Sequence, residues 1–142
     1  MKILDVNLLL YAIDETSPRH AAASGWLERV LSGGTTVGLS WTVLLAFVRL
    51  STRSAVFVEP LGADEALDIV DEWLALPATV VVQPGRRHAA VLRELLAEAG
   101  TAGNLVPDAH LAALAIEHGA ELCSTDADFS RFPGVRWVDP LR

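Results

Sequence analysis

Short apolar runs alternate with longer helical stretches along this chain, and that alternation limits the folds open to it. Apolar runs end at Leu4, Leu39, Val82 and Ser124, and amphipathic or apolar helical patterns follow the first three. Strands in this arrangement build βαβ units around a mostly parallel sheet. The first run, Ile3-Leu4, ends on a carboxylate, Asp5, and a helical run from Val6 to Ile13 follows. In open α/β sheets, sites form outside the carboxyl ends of strands. Asp5 would stand at such an end. The plain alternative is a helix N-cap, because Asp accepts backbone N–H bonds there.

The remaining elements follow from periodicity and punctuation. Ser17 is a candidate N-cap with Pro18 at the first helical position, ahead of an apolar face through Ala23, Trp26, Leu27, Val30 and Leu31. Thr36 to Leu39 is the second strand and Ser40 to Leu50 a largely buried helix. Asp64 is a candidate cap for a helix with Leu67, Val70 and Leu74 on its core side. Val80 to Val82 is the third strand, and Arg86 to Ala99 a helix with Val91, Leu92, Leu95 and Leu96 inward. Pro107 opens an alanine-rich helix that Gly119 stops. Its small residues let it lie close to a neighbour. Glu121 to Ser124 and Arg136 to Val138 are the last two strands. With 142 residues and 51% hydrophobic content, the chain fits one domain, 1–142, with a sizeable core.

Composition narrows the function classes. No run reaches the roughly 18 apolar residues of a membrane span. Asp5 interrupts any signal-peptide core at once. Cys123 is the only cysteine, so no internal disulfide forms, which fits a cytoplasmic location. The net charge of −7 counts against a general nucleic-acid binder. Of 11 basic residues, however, only Lys2 is lysine. Arginine offers a planar fork suited to phosphate.

Three further acids have positions that matter. Asp108 lies in the first turn of the alanine-rich helix, Asp126 just after the fourth strand, and Asp128 two residues on. Singly, each has an ordinary role at a helix start or a turn. In a parallel sheet, Asp5 and Asp126 leave strands at one edge, and Asp108 starts a helix facing the same rim. Carboxylates crowded there would repel, and divalent cations would relieve the repulsion. Hard oxygen donors suit Mg²⁺ or Mn²⁺, which keep waters and bind phosphates.

These residues carry a family resemblance. The stretches Leu4-Asp5-Val6-Asn7-Leu8-Leu9, Gly103 through Ala115, and Ser124-Thr125-Asp126-Ala127-Asp128-Phe129 together resemble a PIN-domain protein. More narrowly, they resemble a VapC toxin of a bacterial toxin–antitoxin pair, and the likeness covers nearly the whole length. It implies a PIN-like three-layer α/β/α sandwich and an endoribonuclease that cuts structured RNA such as tRNA or rRNA. It implies Mg²⁺, or Mn²⁺ in its place, held by Asp5, Asp108 and Asp126, with Asp128 as a further catalytic acid. Asn7 and Thr125 would orient the site. It also implies a homodimer held inactive by a small VapB-type antitoxin. One departure stands out: many such domains carry a Glu in the helix after the second strand, where this chain has Ala46, which puts a second ion in doubt.

Arg49, Arg53, Arg86 and Arg87 are candidate RNA contacts, the last two because cations at a helix start run against the dipole. The four histidines are scattered. His110, two residues past Asp108, would face away from it. Trp26, Trp41, Trp73 and Trp137 read as core or interface rather than base-stacking residues. Two other functions compete. A phosphotransfer switch would need a lysine by the phosphoryl group, and Lys2 stands before the first strand. A PIN-fold RNA- or protein-binding domain with weak or no catalysis is compatible with Ala46.

Overall fold

The computed structural model describes residues 1–142. Five short strands form one sheet: β1 (Lys2–Leu4), β2 (Val37–Leu39), β3 (Thr79–Val81), β4 (Glu121–Cys123) and β5 (Arg136–Val138). Their spatial order is β3-β2-β1-β4-β5 and every pairing is parallel. The chain therefore steps outward from β1 to β3, then crosses back to β4 on the other side of β1. The gap between β1 and β4 is the switch point of the topology, where α/β sheets open a crevice.

Six helices connect the strands: α1 (Val6–Ile13), α2 (His20–Ser32), α3 (Trp41–Ser51), α4 (Ala63–Ala75), α5 (His88–Ala99) and α6 (Val106–Glu117). Helix α1 packs on α2 and α3, and α3 on α4, while α5 and α6 pack on each other. Right-handed crossovers put the first four on one face. The reversal after β3 sends α5 and α6 to the other. The result is the expected three-layer α/β/α sandwich.

Burial follows position in the sheet. Ile3, Leu4, Val37, Leu39, Leu122 and Cys123, on the three inner strands, are fully buried, whereas Val80, Val81 and Val138 on the edge strands are exposed. Burial pushes the Cys123 thiol up to about 11, so it behaves as a small hydrophobe. Between α3 and α4, Phe47 meets Trp73 edge to face at 4.8 Å. The expected small-residue contact of α6 holds: Ala109, Ala112, Ala113 and Ala115 are all buried.

Several boundaries differ from those read in the sequence, for local reasons. Helix α2 begins at His20, not Pro18. Ser17 Oγ accepts the Arg19 N–H at 3.1 Å, so it caps a turn that precedes the helix. Gly62 rather than Asp64 precedes α4, and its N–H donates to Glu65 Oε1 at 3.1 Å. On that helix Ala66 faces the core and Leu67 faces solvent. Helix α5 begins at His88, which leaves Arg86 and Arg87 in the turn before it. The third strand ends at Val81, one residue early, and Val82 turns inward.

Gly38 on β2 shows how little room the side chains of neighbouring strands leave over it. A Cβ there would meet Val82 Cγ1 at 2.8 Å and Ile3 Cγ1 at 3.0 Å. Gly38→Ala should therefore destabilise the fold by roughly 1–3 kcal/mol. Gly34→Ala, whose Cβ would meet nothing within 4 Å, should change stability by less than about 0.5 kcal/mol. Denaturant melts of both variants measure the difference, and equal midpoints would refute the close approach.

Candidate metal and nuclease site

Parallel register brings the first site residues together. Leu4 is paired with Cys123, and the Asp5 N–H donates to the Cys123 carbonyl at 3.0 Å. The residues leaving the two strands, Asp5 and Ser124, therefore emerge side by side. Asp5 is the N-cap of α1, so its plain reading holds: Oδ1 accepts the Val6 N–H at 2.8 Å. Its other oxygen, Oδ2, accepts the Ser124 hydroxyl at 2.7 Å.

Ser124 is the hub of the cluster, and sequence reasoning passed over it for Thr125. Fully buried, it donates to Asp5 while its Oγ accepts from Asn7 Nδ2 at 3.2 Å and from the Asp126 N–H at 2.9 Å. Its carbonyl accepts from Trp137 Nε1 at 2.9 Å, which ties the site to β5. The one available signal was a small hydroxyl residue at a strand's carboxyl end, between an apolar residue and an acid. Asn7 thus joins the cluster through Ser124, and its Oδ1 is buried without a partner. The Thr125 side chain makes no hydrogen bond within the chain.

Asp126 caps a short 3₁₀ turn, Ala127–Arg131, and its Oδ1 accepts the Asp128 N–H at 2.9 Å. Asp108 stands in the first turn of α6, directly after Pro107. One carboxylate oxygen from each of Asp108, Asp126 and Asp128 lies within 4.8 Å of the other two. The tight trio is therefore 108, 126 and 128. Asp5 is a near neighbour, held by its two hydrogen bonds outside that group.

The charges confirm the crowding. Burial first, then the fields of Asp5, Asp126 and Asp128, raise Asp108 from the ordinary 3.8 to about 6. Asp5 is raised chiefly by burial and also by Asp126, against the lowering effect of the bonds from Ser124 and Val6. The donor set fits a hard divalent cation. Ligand oxygens on one octahedral ion, with bonds of about 2.1 Å, lie roughly 3–4 Å apart. Small rotamer changes would bring the trio to that spacing.

Two hollows meet at Asp108. One lies against α3 and includes Asp5, Thr42, Ala46, Arg49 and Asp108 in its walls. The other includes Gly103, Asn104, Asp108, Asp128 and Arg131. Arg49 thus shares a hollow with Asp5 and Asp108, and Arg131 is an arginine that sequence reasoning overlooked. Arg53 follows the end of α3 and enters neither hollow. Arg86 and Arg87 line a separate depression with Glu94, Glu98, Glu117 and His118. His110 turns away from the acids, as its position predicts. His88 Nε2 lies 2.8 Å from His110 Nδ1, and the His88 Nδ1–H donates to Glu117 Oε2 at 2.6 Å.

The PIN domain family profile matches residues 2–135. This chain belongs to the PIN domain family. It is 51% identical over 140 residues to "Ribonuclease VapC37" of Mycobacterium tuberculosis, covering 99% of this chain and 97% of the relative. It is 41% identical over 142 residues to "Ribonuclease VapC33" of the same species, covering 100% and 99%. Among solved structures, M. tuberculosis VapC20, titled a sarcin–ricin loop cleaving toxin, matches with a TM-score of 0.68 at 20% identity, covering 96% of this chain and 99% of that one. VapBC2 from Rickettsia felis, bound to a DNA fragment from its promoter, matches with a TM-score of 0.70 at 20% identity and 96% coverage of both chains. The PIN fold and the VapC kinship expected from the motifs are thus both found.

Two outcomes follow for this PIN-domain site. Ser124→Ala removes a donor from Asp5 and an acceptor from Asp126 and Asn7, so it should cost about 1–3 kcal/mol in a denaturant melt. Thr125→Ala should cost less than about 0.5 kcal/mol. The second outcome concerns pH. Because Asp108 has a folded-state pKa above its unfolded value, the metal-free fold keeps this contribution below about 4 and loses it as pH rises through about 6. Asp108→Asn should stabilise the metal-free protein at about pH 8, on the order of 1 kcal/mol for a partly screened group. That gain should vanish near pH 4, and a constant offset across paired thermal melts would contradict the assignment.

Proposed function

We propose that the chain is a metal-dependent endoribonuclease toxin of a VapBC-type module, a single PIN domain over 1–142. The observation that carries this reading is the carboxylate trio at the switch point of the sheet, in a chain half identical to a VapC ribonuclease. Asp108, Asp126 and Asp128 would bind Mg²⁺, with Mn²⁺ as a substitute. Asp5, whose carboxylate retains free lone pairs beside its two hydrogen bonds, would assist from the α1 side, directly or through a water. When bound, the cation would polarise the scissile phosphate and make a water more acidic for attack. Ser124 and the Val6 N–H hold Asp5 in one rotamer. Ser124 and Asn7 fix the start of the segment that carries Asp126, and the Asp128 N–H holds Asp126. Arg49 is the favoured phosphate contact of the four arginines first considered, since it alone shares a wall with Asp5 and Asp108.

A structured RNA such as tRNA or rRNA is the proposed substrate, hydrolysed to 5′-phosphate and 3′-hydroxyl ends. A VapB-type antitoxin is the proposed partner, supported by the VapBC complexes among the structural relatives. A homodimer and a cytoplasmic location complete the reading. No helix is long and apolar enough to cross a membrane.

Ala46 favours one second reading, a PIN-fold binding domain with weak turnover, because it leaves the α3 wall without a carboxylate. The two readings separate on Asp126→Asn. A nuclease should lose more than about 100-fold in kcat/KM on RNA, with the circular dichroism spectrum unchanged. Chelation should abolish cleavage by the parent protein, and added Mg²⁺ or Mn²⁺ should restore it. If antitoxin-free protein cuts no RNA with either ion, while growth arrest survives Asp126→Asn, the binding reading prevails.

A further inference from the structure

We propose that a single-stranded segment of RNA crosses the site from the α3 hollow to the hollow beside residues 101–105, with Arg49 and Arg131 holding phosphates on either side of the scissile one. The inference rests on the nuclease reading and extends it to a path and to a residue, Arg131, that nothing in the motifs points to.

The geometry begins with Asp108, a wall common to both hollows. The two depressions therefore adjoin at Asp108, with Asp5 in one lining and Asp128 in the other. Each hollow is lined by one arginine: Arg49 on α3, and Arg131 at the end of the 3₁₀ turn that Asp126 caps. Both side chains are exposed, and neither forms an ion pair. Arg131 stands three residues from Asp128 in the same hollow and still makes no ion pair with it.

Electrostatics gives these arginines a task. A chain of net charge −7, with four acids around its site, repels a polyanion as a whole. A divalent ion on the trio can neutralise the central phosphate, but the phosphates on both sides would still face carboxylates. One guanidinium on each flank offsets that repulsion and offers two parallel donors to a phosphate. Arg86 and Arg87 lie by Glu117, nine residues along α6 from Asp108, which is roughly 13–14 Å of helix. They sit among Glu94, Glu98 and Glu117 and serve as a control.

The test separates binding from cleavage. A short fluorescein-labelled single-stranded oligoribonucleotide of mixed sequence is titrated into the Asp126→Asn protein with Mg²⁺ at several salt concentrations. Arg49→Ala and Arg131→Ala, each added to that background, should weaken binding roughly five- to tenfold. Each should also flatten the plot of log K against log salt by about 0.7. The paired Arg86→Ala, Arg87→Ala change should leave affinity and slope unchanged. An unchanged slope for Arg131→Ala, or an equal loss from the Arg86 and Arg87 changes, overturns the path. Cleavage by the parent protein is scored separately. A cutting enzyme indifferent to Arg131 refutes the path alone, whereas a protein that binds RNA and never cuts it refutes the nuclease reading.

Discussion

The hydrogen bond from Ser124 to Asp5 is the contact on which the site depends. It exists because β1 and β4 are neighbours in parallel register, so residues just past their ends emerge together. More than a hundred residues of chain separate the two, and the loop-closure entropy of joining them is met by the sheet rather than by the site. Once Ser124 is fixed, its oxygen fixes the Asp126 N–H, and Asp126 in turn fixes Asp128. Position passes by short bonds from the sheet to the acids. Asp108 arrives separately, carried by a helix whose alanines seat it against the core.

Such a site stores repulsion. Four carboxylates share one rim, and the most perturbed, Asp108, is raised to about 6 by burial and by its three neighbours. The fold tolerates this because the strain is local. The core around it is apolar and continuous through all three layers. A bound divalent ion would turn the same crowding into affinity, which links metal binding to stability and to pH. The cluster is thus better suited to a cation than to the bare state, and part of the acidic composition that counted against a nucleic-acid partner is gathered at this rim.

Much of this was legible in the residues alone, because it depends on local rules. Alternating strand and helix patterns gave the five strands and six helices, though not the 3₁₀ turn at Ala127–Arg131, and the parallel sheet then brought Asp5, Asp108 and Asp126 to one rim. Less legible was whatever depends on side-chain packing. Leu67 satisfies a helical stripe but faces solvent, since Ala66 takes the place against the core. Ser17 has the chemistry of a helix cap yet caps a turn. Ser124 and Thr125 look equivalent in sequence, but Ser124 is fully buried with its N–H on the Val138 carbonyl, whereas Thr125 stands one residue further out and is partly exposed. Arg131 belongs to no pattern: its relevance comes from a short turn folding back so that it lines one hollow with Asp108.

The observed N-cap role of Asp5 and its proposed chemical role fit one arrangement. As an N-cap it has one oxygen on the Val6 N–H, and the helix holds its backbone extended at φ −85° and ψ 157°. That cap and the Ser124 bond together hold the carboxylate on the α1 side of the trio. A freely rotating acid would lose conformational entropy on meeting a cation; a capped one has already lost it during folding. The same reasoning covers Asp126, which caps its own 3₁₀ turn. Structural capping therefore does not compete with function here. It fixes Asp5 and Asp126 before any ligand arrives, and on the proposed metal reading a cation would have only Asp108 and Asp128 left to order.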